Sequence, residues 1–253
     1  MLTNQGIGTI SWLERTGGKL AWWDRLHMVY QGVQAQSAAR RRSLHQQHIQ
    51  MREFSELMPP DTAVTREAFA LCQEISPPFL LNHCLRSYFW ARLLDNDCRP
   101  FDDEAMFTAC LLHDAGLCDH PSIPAHDAAC FTLAGAKAAQ VIALRHGWSD
   151  RRAELAAQAI TLHLNIHLDN SHGKEAQMLR NGSGADVAGL GLHVLDPEQI
   201  HELVKRFPRL DMSRQMAALL KQHTQHGHCC RTGFLLQRFS FEERIRKNRY
   251  FSE

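Results

Sequence analysis

Two histidines and two aspartates are the residues whose types and positions could perform metal chemistry. His113 and Asp114 end the apolar segment ACLLHD, His83 lies in the preceding helical segment NHCLRSYFW, and Asp186 stands at a predicted helix start in GADVAGL. Two imidazoles and two carboxylates suit a borderline divalent ion such as Zn²⁺, Fe²⁺ or Mn²⁺. Four ligands from three separate elements leave coordination positions for water, which is typical of a catalytic site.

Three further polar residues are predicted near this group. His163 shares a helix face with Ile160 and Leu164, where a lone histidine is more often a core residue than a functional one. His167 follows four residues later, so both imidazoles could face one site, although a solvated helix end is the favoured alternative. Arg86 shares the face of His83. It could hold an anionic substrate or, more commonly for arginine, pair with an acid such as Asp114.

A histidine- and cysteine-rich run near the C-terminus suggests a second metal site. The run comprises His223, His226, His228, Cys229 and Cys230. Its spacing fits no established zinc pattern, because adjacent cysteines cannot easily chelate one tetrahedral ion. We interpret it as structural.

The elements that must position these residues are predicted to be helices. Thr62 or Asp61 caps one helix, Asp102 opens another with acids in its first turn, and Ser149 with Asp150 caps a third. Helices are expected over Phe79–Leu94, Leu133–His146 and about Arg151 to Leu164, with two amphipathic helices split by Phe207–Arg209. Irregular segments are expected over 117–127, which lacks periodicity, and over 169–184, where Asn170-Ser171-His172-Gly173 and Asn181-Gly182-Ser183-Gly184 indicate turns. No alternating strand pattern occurs, so the predicted class is all-α.

Composition excludes several classes of partner. The 253 residues carry 28 Lys+Arg and 27 Asp+Glu, and the net charge of +1 supplies no field that favours nucleic acid or a membrane surface. No apolar run could span a bilayer, and the N-terminus lacks the pattern of a secretion signal. The eight cysteines contain no CxxC pair and several lie in apolar stretches, as expected of reduced thiols in a cytoplasmic protein.

The domain prediction places an N-terminal, partly helical extension at residues 1–55 and the main domain at 56–253, with its core at about 78–245. The boundary follows from Met58-Pro59-Pro60-Asp61, where the helical pattern stops. The expected partner is a small-molecule substrate, with neither nucleic acid nor membrane. A homo-oligomer stays open, because the basic run Arg40–Arg42 is either a solvated helix face or a contact with a partner subunit or anionic ligand.

The order His, His-Asp, Asp on successive helices resembles the HD-domain superfamily. The resemblance covers roughly residues 78 to 245. NHCLRSYFWARLL resembles the family's first ligand helix, and ACLLHDAGL resembles its signature segment. Three further stretches resemble the cyanamide hydratase branch: CFTLAGAKAAQVIALRHGW, AITLHLNIHLDNSHGKEAQMLRNGSGADVAG and FPRLDMSRQMAALL.

This resemblance implies an HD-domain helical bundle and one divalent metal ion, zinc or iron first and manganese as an alternative. The implied ligands are His83, His113, Asp114 and Asp186. The implied activity is hydration or hydrolysis of a small nitrile-like molecule by metal-activated water. Asp114 would also accept a proton and His163 would be a second proton shuttle, while Arg86 and His167 would contact the substrate.

Departures from the family pattern keep alternatives open. Phosphohydrolases of the superfamily often carry Lys where this chain has Leu117, which disfavours hydrolysis of nucleotides or phosphomonoesters. The cyanamide hydratase branch often has Glu where this chain has Thr132, and Thr where it has Leu164. Oxygen chemistry at two irons would need His163 together with His167 or His172. A non-catalytic ligand-binding module is the last alternative, and the complete ligand set argues against it.

Overall fold

The computed structural model of the chain describes residues 6–43, 49–123, 130–224, 230–238, 241–246, 248 and 250–251. Within these ranges the regular structure is helical and no strand forms, which confirms the all-α prediction. No helix in the described ranges is both long enough and apolar enough to cross a membrane.

Twelve helices occur in the described part of the chain. Their bounds are α1 Ile10–Thr16, α2 Trp22–Ser43, α3 Ala63–Ile75, α4 Pro78–Leu94, α5 Asp103–Leu112, α6 Thr132–Arg145, α7 Asp150–Leu162, α8 Lys174–Ala188, α9 Pro197–Arg206, α10 Met212–Thr224, α11 Arg231–Arg238 and α12 Phe241–Arg246. Short 3₁₀ turns lie at Phe54–Leu57, Ala115–Leu117, Asn170–His172 and Leu192–Val194.

Side-chain caps fix the starts of the helices that carry or support the site. The hydroxyl of Thr62 accepts a hydrogen bond from the backbone N–H of Thr65, and the hydroxyl of Thr65 accepts one from the backbone N–H of Thr62. Asp102 caps α5 and Ser149 caps α7 in the same way. Each cap satisfies an amide that has no partner within its helix. These three starts are where the sequence predicted them.

Helices α4 and α8 pack closely because a glycine lies between them. A Cβ atom on Gly182 would stand 2.0 Å from the carbonyl oxygen of Ser87 and 2.9 Å from the Cβ of Ala91. The prediction of an irregular segment over 169–184 was therefore wrong for residues 174–184, which belong to α8. The Asn181-Gly182 pair continues α8, since glycine here serves helix contact rather than a turn.

The interior is one large apolar cluster built mainly by α3 to α8, with smaller clusters on either side. Alanines of α6 and α7 allow these two helices to approach each other closely. On one side, Trp12 and Leu13 of α1 pack with Cys130, Leu133 and Leu235. The N-terminal segment thus contacts the main body, while the predicted boundary near residue 55 stays a prediction.

Candidate metal centre

Three buried side chains bring possible metal ligands to one point. His83 lies on α4, His113 is the C-terminal cap residue of α5, and Asp114 follows it. The Nε2 atoms of the two imidazoles are 3.1 Å apart, and Oδ2 of Asp114 lies 3.4 Å from each. One ligand atom from each residue lies within 4.8 Å of the others. This is the group that the sequence predicted from His83, His113 and Asp114.

Hydrogen bonds on the far side of each ring set the tautomers of the site. Nδ1 of His113 lies 2.8 Å from the carbonyl oxygen of Cys110, and Nδ1 of His83 lies 2.7 Å from Oδ2 of Asp186. Oxygen atoms without hydrogen can only accept, so each Nδ1 carries the proton. In a neutral imidazole the lone pair is then on Nε2. Two lone pairs facing each other at 3.1 Å need a cation or a proton between them, so the donor set fits a metal ion.

His163 repeats the arrangement of His113 at the end of another helix. It is the C-terminal cap residue of α7, directly after Leu162, and its Nδ1 donates to the carbonyl oxygen of Ile160 at 2.7 Å. Its Nε2 lies 3.7 Å from Oδ1 of Asp114. Because the C-terminal ends of α5 and α7 both carry partial negative charge, the site favours a cation.

The surroundings push the pKa values of His113, His163 and Asp114 in the direction that metal binding requires and push the pKa of His83 in the opposite direction. Burial lowers the pKa of His113, and burial together with the charge of His113 lowers the pKa of His163 to about 3. Burial opposes ionisation of Asp114, but the neighbouring histidines outweigh it and hold the pKa of its carboxyl well below the usual range. Burial also lowers the pKa of His83, and the carboxylates of Asp114 and Asp186 more than reverse this effect.

Asp186, predicted as the fourth ligand, lies on the other side of His83. It stands near the end of α8 rather than at a helix start, so that part of the prediction was wrong. Its oxygens accept hydrogen bonds from His83 Nδ1, from Arg86 through Nε at 2.7 Å and Nη2 at 2.9 Å, and from Trp90 Nε1 at 2.9 Å. Burial opposes its ionisation, but the charge of Arg86 holds the pKa of the Asp186 carboxyl far below its usual range.

Arg86 pairs with Asp186, whereas the sequence suggested an acid such as Asp114. Its Nη1 donates to the carbonyl oxygens of Phe207 at 2.7 Å and Pro208 at 3.1 Å, and its Nη2 also contacts the sulfur of Met212. A guanidinium has five N–H donors. With the two bonds to Asp186 and these three contacts, each donor of Arg86 has an acceptor within the protein. Its predicted contact with a substrate stays a prediction, and the geometry favours a structural role.

The connection after α9 supports this pairing. Leu210 and Asp211 have positive φ angles of 56° and 55°, in the left-handed region that bulky residues rarely adopt. The turn keeps the carbonyl groups of Phe207 and Pro208 directed at Arg86. It also brings Arg209 to the backbone oxygen of Asp186 at 2.9 Å.

His167 is not brought to the cluster. Helix α7 ends at Leu162, two residues before the predicted end, so the four-residue helical relation between His163 and His167 does not exist. The side chain of His167 is exposed. Its predicted role in substrate binding stays a prediction. In the C-terminal run, His226, His228 and Cys229 lie outside the described residues.

Sequence reasoning missed two residues, Trp90 and Arg231, that surround the cluster without being candidate metal ligands. Trp90 lies seven residues after His83 on α4, and this spacing could have indicated a shared face. Arg231 is buried and donates to Asn165, Thr132 and the carbonyl oxygen of Thr161. It lies 66 positions from Asn165 along the chain, so no local signal could have identified it.

Comparison with known families agrees with the geometry of the site. The family model described as HD domain matches residues 80–222, more than half of the chain. This range contains the three clustered residues and also His163 and Asp186. A search of curated proteins finds no significant match.

Proposed function

Because this chain belongs to the HD domain family, whose members are mostly metal-dependent hydrolases, we propose that it is a metal-dependent enzyme that adds water to a small neutral molecule. The reaction would be a hydration or hydrolysis of the cyanamide hydratase kind. One observation carries the proposal: Nε2 of His83, Nε2 of His113 and the carboxylate of Asp114 converge in a buried cluster.

The residues that would hold the metal are His83, His113 and Asp114. Catalytic zinc sites typically use three protein ligands and keep a position open. A divalent ion would supply Lewis acidity, which makes water a better nucleophile near neutral pH and polarises a substrate multiple bond. Two nitrogen ligands and one oxygen ligand suit zinc or iron, with manganese as an alternative.

His163 is placed to move a proton. Its Nδ1–H is tied to the carbonyl oxygen of Ile160, so Nε2 offers its lone pair on the side of Asp114. Nε2 can therefore accept a proton from the attacking water. Burial and His113 lower the pKa of His163, so its imidazole is neutral before it accepts the proton and would return the proton readily.

The surroundings of the cluster support a neutral substrate. A phosphoryl group needs several cations or donors around its oxygens in the transition state. All five donors of Arg86 are occupied by the protein. Leu117, on the turn after Asp114, instead packs against apolar residues of α10.

A second candidate, phosphomonoester hydrolysis, is favoured by Arg231. This guanidinium is fully buried, its partners are neutral groups, and its Nε has no acceptor among the described residues. Its charge acts on His163, where it helps to lower the pKa. A cation in this position could hold an anionic group, provided that the segment around Gly8, which contacts it closely, moves away.

The experiment combines metal analysis with a substrate panel. Protein prepared without chelator is analysed for transition metals and then assayed with Zn²⁺, Fe²⁺ or Mn²⁺ on cyanamide, simple nitriles, nucleoside monophosphates and phosphate esters. We expect about one ion per chain and turnover of a neutral compound, lost after chelation and in His113→Ala. His201→Ala, which removes an exposed imidazole on α9, serves as the matched control for histidine removal.

Two results would contradict the proposal. Native protein that binds no transition metal would refute metal dependence altogether. A kcat/KM of roughly 10⁴ M⁻¹s⁻¹ or more on a phosphomonoester, abolished in Arg231→Met, would establish the second candidate instead.

A further inference from the structure

The carboxylate of Asp186 has no lone pair left for a metal ion. A carboxylate offers about four acceptor sites. Oδ2 accepts from His83 Nδ1 and Arg86 Nη2, and Oδ1 accepts from Arg86 Nε and Trp90 Nε1, all at 2.7 to 2.9 Å. Arg209 approaches Oδ1 as well, at 3.5 Å. The acceptor sites are therefore fully used within the protein.

The position of the carboxylate gives a second, independent argument. The ligand atom of His83 is Nε2, which faces His113 and Asp114. Asp186 contacts Nδ1, on the opposite edge of the same ring. An ion bound at Nε2 therefore has the imidazole between itself and Asp186.

We infer that Asp186 is a positioning residue that acts through His83 and is not itself a metal ligand. The inference rests on the proposed metal site. A histidine that binds a metal usually donates its other N–H to a carboxylate or carbonyl group, which fixes the tautomer and the ring orientation. Asp186 does this for His83, and the carbonyl oxygen of Cys110 does it for His113.

This assignment changes the charge of the site. Two neutral imidazoles and one carboxylate leave a divalent ion with a net charge of +1, whereas a second carboxylate ligand would neutralise it. The negative charge of Asp186 is instead compensated by Arg86 through two hydrogen bonds. The ion would thus polarise a neutral substrate more strongly than an ion with four protein ligands.

The decisive measurement uses the native chain, because replacing Asp186 also removes the counter-charge of Arg86. Crystals of the native protein loaded with Co²⁺ locate the ion by its anomalous signal. We expect metal contacts of about 2.0–2.2 Å to His83, His113 and Asp114, with Asp186 still bonded to Nδ1 of His83. An Asp186 oxygen at coordination distance from the ion would overturn the inference while leaving the proposed function intact.

Cobalt binding by variants gives a second readout in solution. Asp186→Asn should weaken Co²⁺ binding by about 10–100-fold, as loss of an outer-shell partner does, with the visible spectrum of the bound ion unchanged. Asp114→Asn should weaken binding more and change the spectrum. Asp103→Asn, which removes the carboxylate that pairs with Arg92 on α4, is the control and should bind as the native chain does.

The outcomes separate the two hypotheses. If Asp186→Asn changes the cobalt spectrum as Asp114→Asn does, Asp186 is a ligand and the inference fails. If the native chain takes up no cobalt or zinc, the proposed function fails and the inference falls with it.

Discussion

Asp114 and Asp186 are two buried carboxylates that contact opposite edges of the same imidazole, and their surroundings differ sharply. Asp186 accepts four hydrogen bonds of 2.7 to 2.9 Å. Asp114 makes no side-chain hydrogen bond of ordinary length, about 2.7–3.2 Å, within the described part of the chain. Its contacts are three imidazole nitrogens at 3.4 to 3.7 Å.

The difference shows that burial alone does not distinguish a ligand from a supporting residue. Leaving a buried carboxylate without donors costs free energy, because its charge loses the hydration of water. The protein tolerates this cost at Asp114 and avoids it at Asp186. A carboxylate whose lone pairs are still available beside two Nε2 atoms is suited to bind a cation, and a saturated one is suited to hold a neighbour in place.

The largest expected effect is on stability. In metal-free protein, Asp186→Asn should lower the free energy of unfolding by about 3–5 kcal/mol, because it leaves the buried Arg86 without its counter-charge. Asp114→Asn should lower it by less, because it breaks no hydrogen bond of ordinary length and removes only the attraction between the carboxylate and the neighbouring histidines. Urea denaturation followed by circular dichroism measures both values. Equal losses in the two variants would show that the two carboxylates contribute equally to the free energy of unfolding, despite their different hydrogen bonding.

The second effect concerns stabilisation by metal. At a free Zn²⁺ concentration 100 times its Kd, binding to the folded state alone should add about 2.7 kcal/mol to the native chain. His113→Ala should lose this gain, and Asp186→Asn should show it only at higher zinc concentration. Thermal unfolding at increasing zinc concentrations provides the measurement. A gain that persists in His113→Ala would mean that the metal binds elsewhere.

The sequence was sufficient to predict the centre of the site, for a local reason. His113 and Asp114 stand where an apolar helical pattern stops, and His83 is polar on an otherwise packable helix face. Helix caps at Thr62, Asp102 and Ser149 are equally local, and these starts were predicted correctly. Such signals are contained within a few neighbouring residues.

The role of Asp186 could not be predicted in this way. Its partner Arg86 lies 100 positions away, and the helical spacing of Arg86 from His83 indicates a shared face but not which acid is opposite. The Asn181-Gly182 pair was predicted to form a turn but lies within α8, again because the deciding contact comes from a distant part of the chain. Nothing local shows that the backbone of Ser87 passes 2.0 Å from where a Cβ of residue 182 would be.

A smaller effect tests the donors around Asp186 one at a time. Trp90→Phe keeps a buried aromatic ring and removes one N–H donor to Oδ1. Hydrogen bonds to charged groups contribute about 1.5–3 kcal/mol, so the free energy of unfolding should fall by about 2 kcal/mol. Tyr88→Phe, on the same helix but bonded to Asp103, is the control for loss of an aromatic donor. Only Trp90→Phe should also weaken Co²⁺ binding, and similar binding losses in both would contradict an action through Asp186.

The smallest effect concerns the third imidazole, on the side of Asp114. The pKa of His163 is lowered from 6.5 to about 3, chiefly by burial and then by the charge of His113. Below pH 6.5 the unfolded chain therefore binds a proton at His163 that the folded chain does not, so the folded state loses stability as the pH falls. In metal-free protein this residue should account for about 1.4 kcal/mol of the loss between pH 8 and pH 5.5.

His163→Gln removes this contribution, because glutamine does not titrate. The free energy of unfolding of the variant should therefore fall less between pH 8 and pH 5.5 than that of the native chain, by about 1.4 kcal/mol. His167→Gln, which replaces an exposed imidazole, is the matched control and should follow the native chain. An unchanged pH dependence in His163→Gln would mean that this imidazole is protonated equally in both states. His163 could then not be the neutral proton acceptor that the proposed function places beside Asp114.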